Sequence, residues 1–95
     1  MIKRIVKLTF RAEECDRFLE IYAESSPFIR SFDGCQHLEL WRSRLERHVF
    51  FTYSFWESEE ALDAYRHSEL FKSTWAKTKV LFADAPHAWS VEVVG

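Results

Sequence analysis

The sequence predicts a single α+β domain in which two helices cover one face of a four-stranded antiparallel sheet. Three observations lead there: four short segments rich in apolar or β-branched residues, two longer stretches with apolar residues at helical spacing, and the order in which they follow one another. That order, β-α-β-β-α-β, is the ferredoxin-like arrangement. Ninety-five residues suit one such domain, so residues 1–95 are read as one unit.

The first strand spans Ile2 to Phe10, where Ile2, Arg4, Val6, Leu8 and Phe10 alternate with Lys3, Ile5, Lys7 and Thr9, as in a strand with one well-buried face. From about Ala12 the acids Glu13, Glu14 and Asp16 occupy a first helical turn, and Cys15, Phe18, Leu19 and Tyr22 form an apolar stripe behind them. Pro27 has no N–H to give to the helical ladder and crowds the preceding turn, so a kink or a stop is expected near Ser25 or Ser26. Asp33-Gly34 makes the turn that follows.

Cys35 to Arg42 reads as the second strand, polar on both sides, and Val49 to Trp56 as the third, joined by the charged hairpin loop SRLERH. The third is apolar or β-branched at nearly every position, which marks a central strand. Ser58 is placed to cap a helix, with Glu59 and Glu60 where the helix dipole favours negative charge and Ala61, Leu62 and Tyr65 aimed back at the sheet. The helical pattern continues to Phe82, with a break near His67-Ser68 where Ser68 can cap a second segment, and Phe71, Trp75, Thr78 and Phe82 lie along one face. Ala85-Pro86 ends it, and Ala88 to Val94 forms the last strand.

Composition excludes several classes of function. The residues are 47% hydrophobic and 17% aromatic, with nine Phe and four Trp, yet no apolar run is long enough to span a bilayer. A net charge of −2 without a Lys/Arg cluster argues against nucleic acid as a partner. The chain does not open on a charged segment followed by an apolar one, so a cytoplasmic location is expected and Cys15 and Cys35 need not pair. His37, His48, His67 and His87 show no metal-binding spacing, and no Gly-rich phosphate loop exists, so neither a metal nor a nucleotide cofactor is expected.

Helices on one face leave the other uncovered. If Val49, Phe51, Tyr53 and Phe55 line one side of the third strand, leaving them in water forgoes about 1.5–3 kcal/mol each, together comparable with the ~5–15 kcal/mol stability of a whole domain. A homodimer with two sheets packed face to face is therefore expected.

The Phe32-Asp33-Gly34-Cys35 approach to the second strand, the Trp56-x-Ser58-x-x-Ala61-Leu62 junction and Ser68-Glu69-x-Phe71, in this order and spacing, resemble the antibiotic biosynthesis monooxygenase domain of the dimeric α+β barrel superfamily, over nearly the whole chain. The resemblance implies a dimeric α/β barrel with a separate pocket in each subunit between helices and sheet. Members that oxidise polycyclic phenols or quinols use oxygen without metal or flavin, because the electron-rich substrate anion itself reduces O₂. The protein then excludes water, orients the rings and stabilises the anion. Trp56 matches the tryptophan that lines such pockets, and its indole N–H is a donor a substrate oxygen can use. The asparagine that the tricyclic-oxidising branch carries four residues earlier is Thr52 here, a hydroxyl in place of an amide. Histidines found in quinol-oxidising members fall at Tyr65 and Leu70, and His67 lies about 200° round the helix from Tyr65. The haem-degrading branch shares Ser68, Phe71 and Lys72, but its asparagine, tryptophan and haem-ligating histidine fall near Val6, Tyr65 and Trp75.

The expected activity is thus a cofactor-independent monooxygenase acting on an aromatic or quinol-type small molecule. Trp56 is assigned to ring orientation and donation, Thr52 to hydrogen bonding and Tyr65 to proton relay; Phe71 and Trp75 join them as ligand contacts. Each also has a plainer reading, Trp56 as a strand-end core aromatic and Tyr65, Phe71 and Trp75 as helix packing. His37, Glu39 and Trp41 alternate on one side of the second strand, as a base and its orienter or as edge-strand polarity. The rival function is a non-catalytic ligand-binding or assembly domain of the same fold, with haem binding a third. A closed aromatic cavity with a donor near its centre favours the enzyme, and a cavity filled by Trp56 and Tyr65 favours the rival.

Overall fold

A computed structural model describes all 95 residues. The strands are β1 (Ile2–Thr9), β2 (Cys35–Arg42), β3 (Val49–Trp56) and β4 (His87–Val91), and the helices are α1 (Cys15–Arg30), α2 (Glu59–Arg66) and α3 (Glu69–Lys79), with a 3₁₀ turn at Ala12–Glu14 ahead of α1. The strands form one antiparallel sheet in the order β2-β3-β1-β4. This is the ferredoxin-like α+β fold, with the apolar β3 in the interior of the sheet and the polar β2 at an edge. No helix is long and apolar enough to cross a membrane.

Pairing register sorts the side chains into two faces. Arg4, Val6 and Leu8 lie across from Ser54, Thr52 and Phe50, and Leu38 and Leu40 lie across from Ser54 and Thr52, all on the side the helices cover. The core sits at one end of that side, where Phe10 stacks on Phe18 at 4.2 Å between ring centroids and Phe50 meets both edge-on. Lys3, Ile5, Phe51, Tyr53, Phe55, His37, Glu39, Trp41 and Trp89 belong to the other side. No helix of the chain covers it. Trp41 and Trp89 are 39% and 48% exposed.

Several expected boundaries move. Helix α1 does not stop at Ser25 or Ser26 but runs through Pro27 to Arg30. Ala23 and Pro27 are both exposed, so the missing i to i−4 bond lies on the outer side of the helix, while the buried Ser26 and Ile29 on the inner face keep the last turn packed. The second helical stretch is two helices, broken at His67-Ser68 as its caps require: Ser58 Oγ accepts from the Ala61 N–H and Ser68 Oγ from the Phe71 N–H, each at 3.1 Å. It ends at Lys79 and not at Phe82, because the chain turns back to β1: the Arg11 N–H donates to the Leu81 carbonyl, the Ala83 N–H donates to that of Thr9, and Phe82 bridges to Phe10. Strand β4 is shorter than expected, His87–Val91, since β1 offers it partners only from Lys3 to Lys7.

Gly34 has φ 90°, and a Cβ there would collide with the Ala61 methyl. Its carbonyl accepts from the Glu57 N–H at 2.9 Å. The turn after α1 thus lies directly against the start of α2, and only glycine permits both the backbone conformation and the approach.

Candidate functional site

A cavity of about 380 Å³ lies between the sheet and the helices. That is within the range of small-molecule sites, roughly 300–1,000 Å³. Strands β1 and β3 supply its floor through Arg4, Val6, Thr52 and Ser54; α1 supplies Phe18 and Tyr22; α2 and α3 supply Tyr65, Arg66, Phe71 and Trp75. Its residues come from the alternate strand positions that face the helices and from the inward stripes of those helices, so the fold itself assembles them.

All five residues expected at the site line this cavity: Thr52, Trp56, Tyr65, Phe71 and Trp75. Four are aromatic and form a continuous wall. Trp56 stacks on Tyr65 at 4.8 Å, Tyr65 meets Phe71 edge-on at 5.3 Å, and Phe71 stacks on Trp75 at 5.8 Å. Phe32, from the turn after α1, closes on both Trp56 and Tyr65 edge-on. The cavity is walled by these rings and not filled by them.

The polar roles differ from expectation in one respect. Trp56 is 1% exposed and its Nε1–H donates to Ser54 Oγ at 3.0 Å, so the indole is not a free donor for a ligand. Strand alternation causes this, since residues i and i+2 share a face and Ser54 is the small hydroxyl beside the indole. Trp56 stands behind Tyr65 and backs it rigidly. The Tyr65 hydroxyl and the Thr52 hydroxyl have no hydrogen-bond partner in the protein, while every fully buried polar side-chain atom is partnered. Those two hydroxyls therefore reach accessible space.

Burial, reinforced by the nearby Cys35 thiol and opposed by Arg4, pushes the Tyr65 phenol up to about 12. Near neutral pH it is a proton donor and not a base. The Cys35 thiol is raised by burial as well, and a register shift beside Gln36 sets Cys35 across from Trp56 on the helix side. Cys15 is buried in the core and its Sγ donates to the Arg11 carbonyl at 3.8 Å.

The two charged residues of the wall, Arg4 and Arg66, lie outside the expected set. The alternation of β1 held a signal for the first, because Arg4 is the one charged member of the Ile2, Val6, Leu8, Phe10 set. No Asp, Glu, His or Cys lines the cavity. His67 is outside it, its Nδ1 bonded to the Asp63 carbonyl at 2.7 Å, and Leu70 lines only a shallow groove between α1 and α3. His37, Glu39 and Trp41 form a hydrogen-bonded chain, with His37 paired to Glu39 and Trp41 Nε1–H donating to Glu39 at 2.9 Å, but on the opposite face of the sheet. They cannot serve this cavity as base and orienter.

Comparison with known proteins agrees with this architecture. Among solved structures, an antibiotic biosynthesis monooxygenase superposes with a TM-score of 0.94 at 20% identity over 100% of both chains. A candidate antibiotic biosynthesis monooxygenase from Caulobacter crescentus gives 0.92 at 21% identity, over 99% of this chain and 90% of the other. One from Bordetella bronchiseptica gives 0.88 at 20%, over 98% and 96%. No protein of curated function matches the chain. At these identities the likeness is one of fold. The sequence profile described as antibiotic biosynthesis monooxygenase matches residues 1–77, which hold β1 to β3, α1, α2 and most of α3, and with them all five expected site residues. The chain belongs to the antibiotic biosynthesis monooxygenase family.

Proposed function

We propose that the protein is a cofactor-independent monooxygenase that oxidises an aromatic or quinol-type small molecule in the cavity between helices and sheet. The observation that carries this reading is the continuous aromatic wall Trp56-Tyr65-Phe71-Trp75 around open space, with the Thr52 and Tyr65 hydroxyls free. Such a wall orients a flat substrate by stacking and excludes water from a reactive anion. The free hydroxyls donate to its oxygen and stabilise the negative charge.

With an anthrone-type substrate, the ring-held CH₂ releases a proton to solvent, regained when the peroxide forms, to give a delocalised anion, which transfers an electron to O₂. The resulting radicals combine into a C–O bond, and loss of water leaves a carbonyl where the CH₂ stood. One O₂ is consumed, one oxygen atom enters the product and the other leaves as water. The substrate is the reductant. A phenol held protonated up to about 12 suits Tyr65 to donation throughout this sequence and not to the initial deprotonation.

The protein acts as a homodimer whose bare sheet faces pack together. Trp41 stacks on Tyr53 at 4.5 Å, Tyr53 meets Phe55 edge-on at 5.0 Å, and Lys3 Nζ lies 3.6 Å from the centroid of Phe55. This apolar surface is the kind a second copy covers by two-fold symmetry. No nucleic acid or membrane partner is part of the proposal.

A non-catalytic ligand-binding domain is the second reading. The engagement of the Trp56 N–H by Ser54 favours it, because a donor the resemblance assigns to the substrate is occupied. Oxygen uptake in the presence of hydroquinones and anthrone-like phenols separates the two: uptake above the buffer rate that falls in Tyr65→Phe supports the enzyme, and binding without uptake supports the alternative.

A further inference from the structure

The charges of the cavity are all of one sign. Arg4 and Arg66 line it, and no carboxylate does. Arg4 sits on the helix side of β1, across from Ser54 on β3 and Ser90 on β4, and is half-buried. Its guanidinium takes part in none of the ion pairs of the chain, which involve Arg11, Arg17, Arg66 and His37 with nearby acids. Nor does it donate to any hydroxyl, carbonyl or amide, whereas Arg11, Arg30, Arg42 and Arg47 all reach carbonyls. Glu92, just beyond β4 at the same edge, does not pair with it. Arg66 reaches Asp63 at only 4.0 Å, between two exposed side chains, so its charge is barely compensated.

A buried or half-buried arginine is ordinarily paired, since removing its charge from water is unfavourable unless an acceptor replaces the lost hydration. Two arginines beside one apolar cavity also repel each other. Burial and then the Arg66 charge lower the Arg4 guanidinium from its ordinary value, although it stays protonated at any physiological pH. Every fully buried polar side-chain atom of the chain is partnered, so the unpaired nitrogens of Arg4 open onto accessible space, where an anion in the cavity can accept from them. Arginine's planar fork fits a carboxylate or another delocalised oxyanion, and the adjoining wall of Trp56, Tyr65, Phe71 and Trp75 fits a flat ring system.

We infer that the cavity selects planar aromatic anions, with Arg4 as the principal anchor of the anionic group, Arg66 as its second contact and the ring held against Tyr65, Phe71 and Trp75. The ligand is an aromatic carboxylate or a phenol already ionised when it binds. This rests on the cavity being the ligand site, as proposed above, but not on oxygen chemistry. Where the ligand is a phenolate, it also accounts for the absence of an acid or histidine from the cavity wall, because the reactive anion forms before binding.

The test is equilibrium binding of 1-naphthoate and of its neutral amide, 1-naphthamide, to the full chain, followed by tryptophan fluorescence and by calorimetry. The two probes share ring and shape and differ in charge. Wild type is expected to bind naphthoate roughly ten- to a hundredfold more tightly than naphthamide, the range that charge-assisted hydrogen bonds confer. Arg4→Met removes most of that preference while leaving naphthamide binding nearly unchanged; Arg66→Met reduces it less; Arg4→Lys, which keeps the charge and loses the fork, is intermediate. Thermal unfolding of Arg4→Met guards against a folding artefact, and its midpoint is expected at or above wild type because no ion pair is lost. Equal affinity of wild type for the two probes overturns the inference, as does a naphthoate affinity that survives both methionine variants, or no naphthoate binding at millimolar concentration. If naphthoate is preferred through Arg4 while no phenol or quinol stimulates oxygen uptake, the monooxygenase reading fails and the anion site stands.

Discussion

The indole of Trp56 and the phenol of Tyr65 lie stacked, with ring centroids 4.8 Å apart and planes 25° from parallel. One residue ends the interior strand β3 and the other sits on the last turn of α2, so this contact ties the sheet to the helix that carries the cavity's free phenol. Replacing Trp56 by alanine removes a nearly fully buried ring and destabilises the fold by about 3–5 kcal/mol. Tyr65→Phe keeps the stack and is expected to cost less than about 1.5 kcal/mol. Chemical denaturation of both variants checks the contrast.

The Tyr65 phenol predicts a stability change confined to alkaline pH. Its folded value, about 12, lies above the ordinary 10, so the folded state holds this proton more tightly than the unfolded chain does. The contribution is fully present below pH 10 and is lost as the pH rises from there through about 12, by at most about 3 kcal/mol. Burial raises Tyr22 too, so wild type alone does not isolate the effect. The difference in unfolding free energy between wild type and Tyr65→Phe should be constant from pH 7 to 9 and shrink at pH 11.

Gly34 is required by conformation and by space at once. Gly34→Ala forces a side chain into φ 90° and against Ala61, and is expected to cost about 1–3 kcal/mol. Because the Gly34 carbonyl also holds the Glu57 N–H, the loss should appear as faster amide exchange at the start of α2.

Ser68 starts α3 through its bond to the Phe71 N–H, and Phe71 is a wall residue of the cavity. Ser68→Ala is expected to lose about 1 kcal/mol of stability and to weaken aromatic-ligand binding, while Ser68→Thr, which keeps both the acceptor for the Phe71 N–H and the donor to the Tyr65 carbonyl, retains both. Thermal melts and naphthoate titrations measure the two effects together.

The bare sheet face centres on Tyr53, flanked by Trp41 and Phe55. Tyr53→Asp places a charge where the second copy is proposed to pack. Light scattering at micromolar concentration should give the mass of two chains for wild type and of one for the variant; a wild-type mass of one chain ends the dimer proposal.

Much of this architecture was legible because local chemistry marked it. The bounds of β2 and β3 follow from a charged hairpin and an apolar run, and the two serine caps bracket α2 and α3 where their side chains bond. The five expected site residues meet at one cavity because they lie at alternate strand positions or on inward helix stripes. What was hidden depended on tertiary surroundings. Pro27 signals a kink or a stop in the sequence, and its exposed position, which lets α1 continue, becomes visible only when the helix is seated on the sheet. The Trp56 N–H looks free for a substrate in the sequence, and only the rotamer it takes in the fold brings it to Ser54, two residues earlier on the same face. Arg4 stood among the inward residues of β1 from the start, but its lack of a counter-charge is a property of the assembled cavity and of no segment alone.

Turnover of a ligand with molecular oxygen in the aromatic cavity is read out by oxygen-electrode assays over a panel of hydroquinones and anthrone-like phenols. Wild type should consume O₂ above the buffer rate with at least one of them; Tyr65→Phe and Thr52→Val, which remove the two free hydroxyls, should each lower that rate about tenfold or more, the scale of losing one hydrogen bond to a developing anion. Uptake no faster than buffer across the panel, or uptake unchanged in both variants, would contradict it.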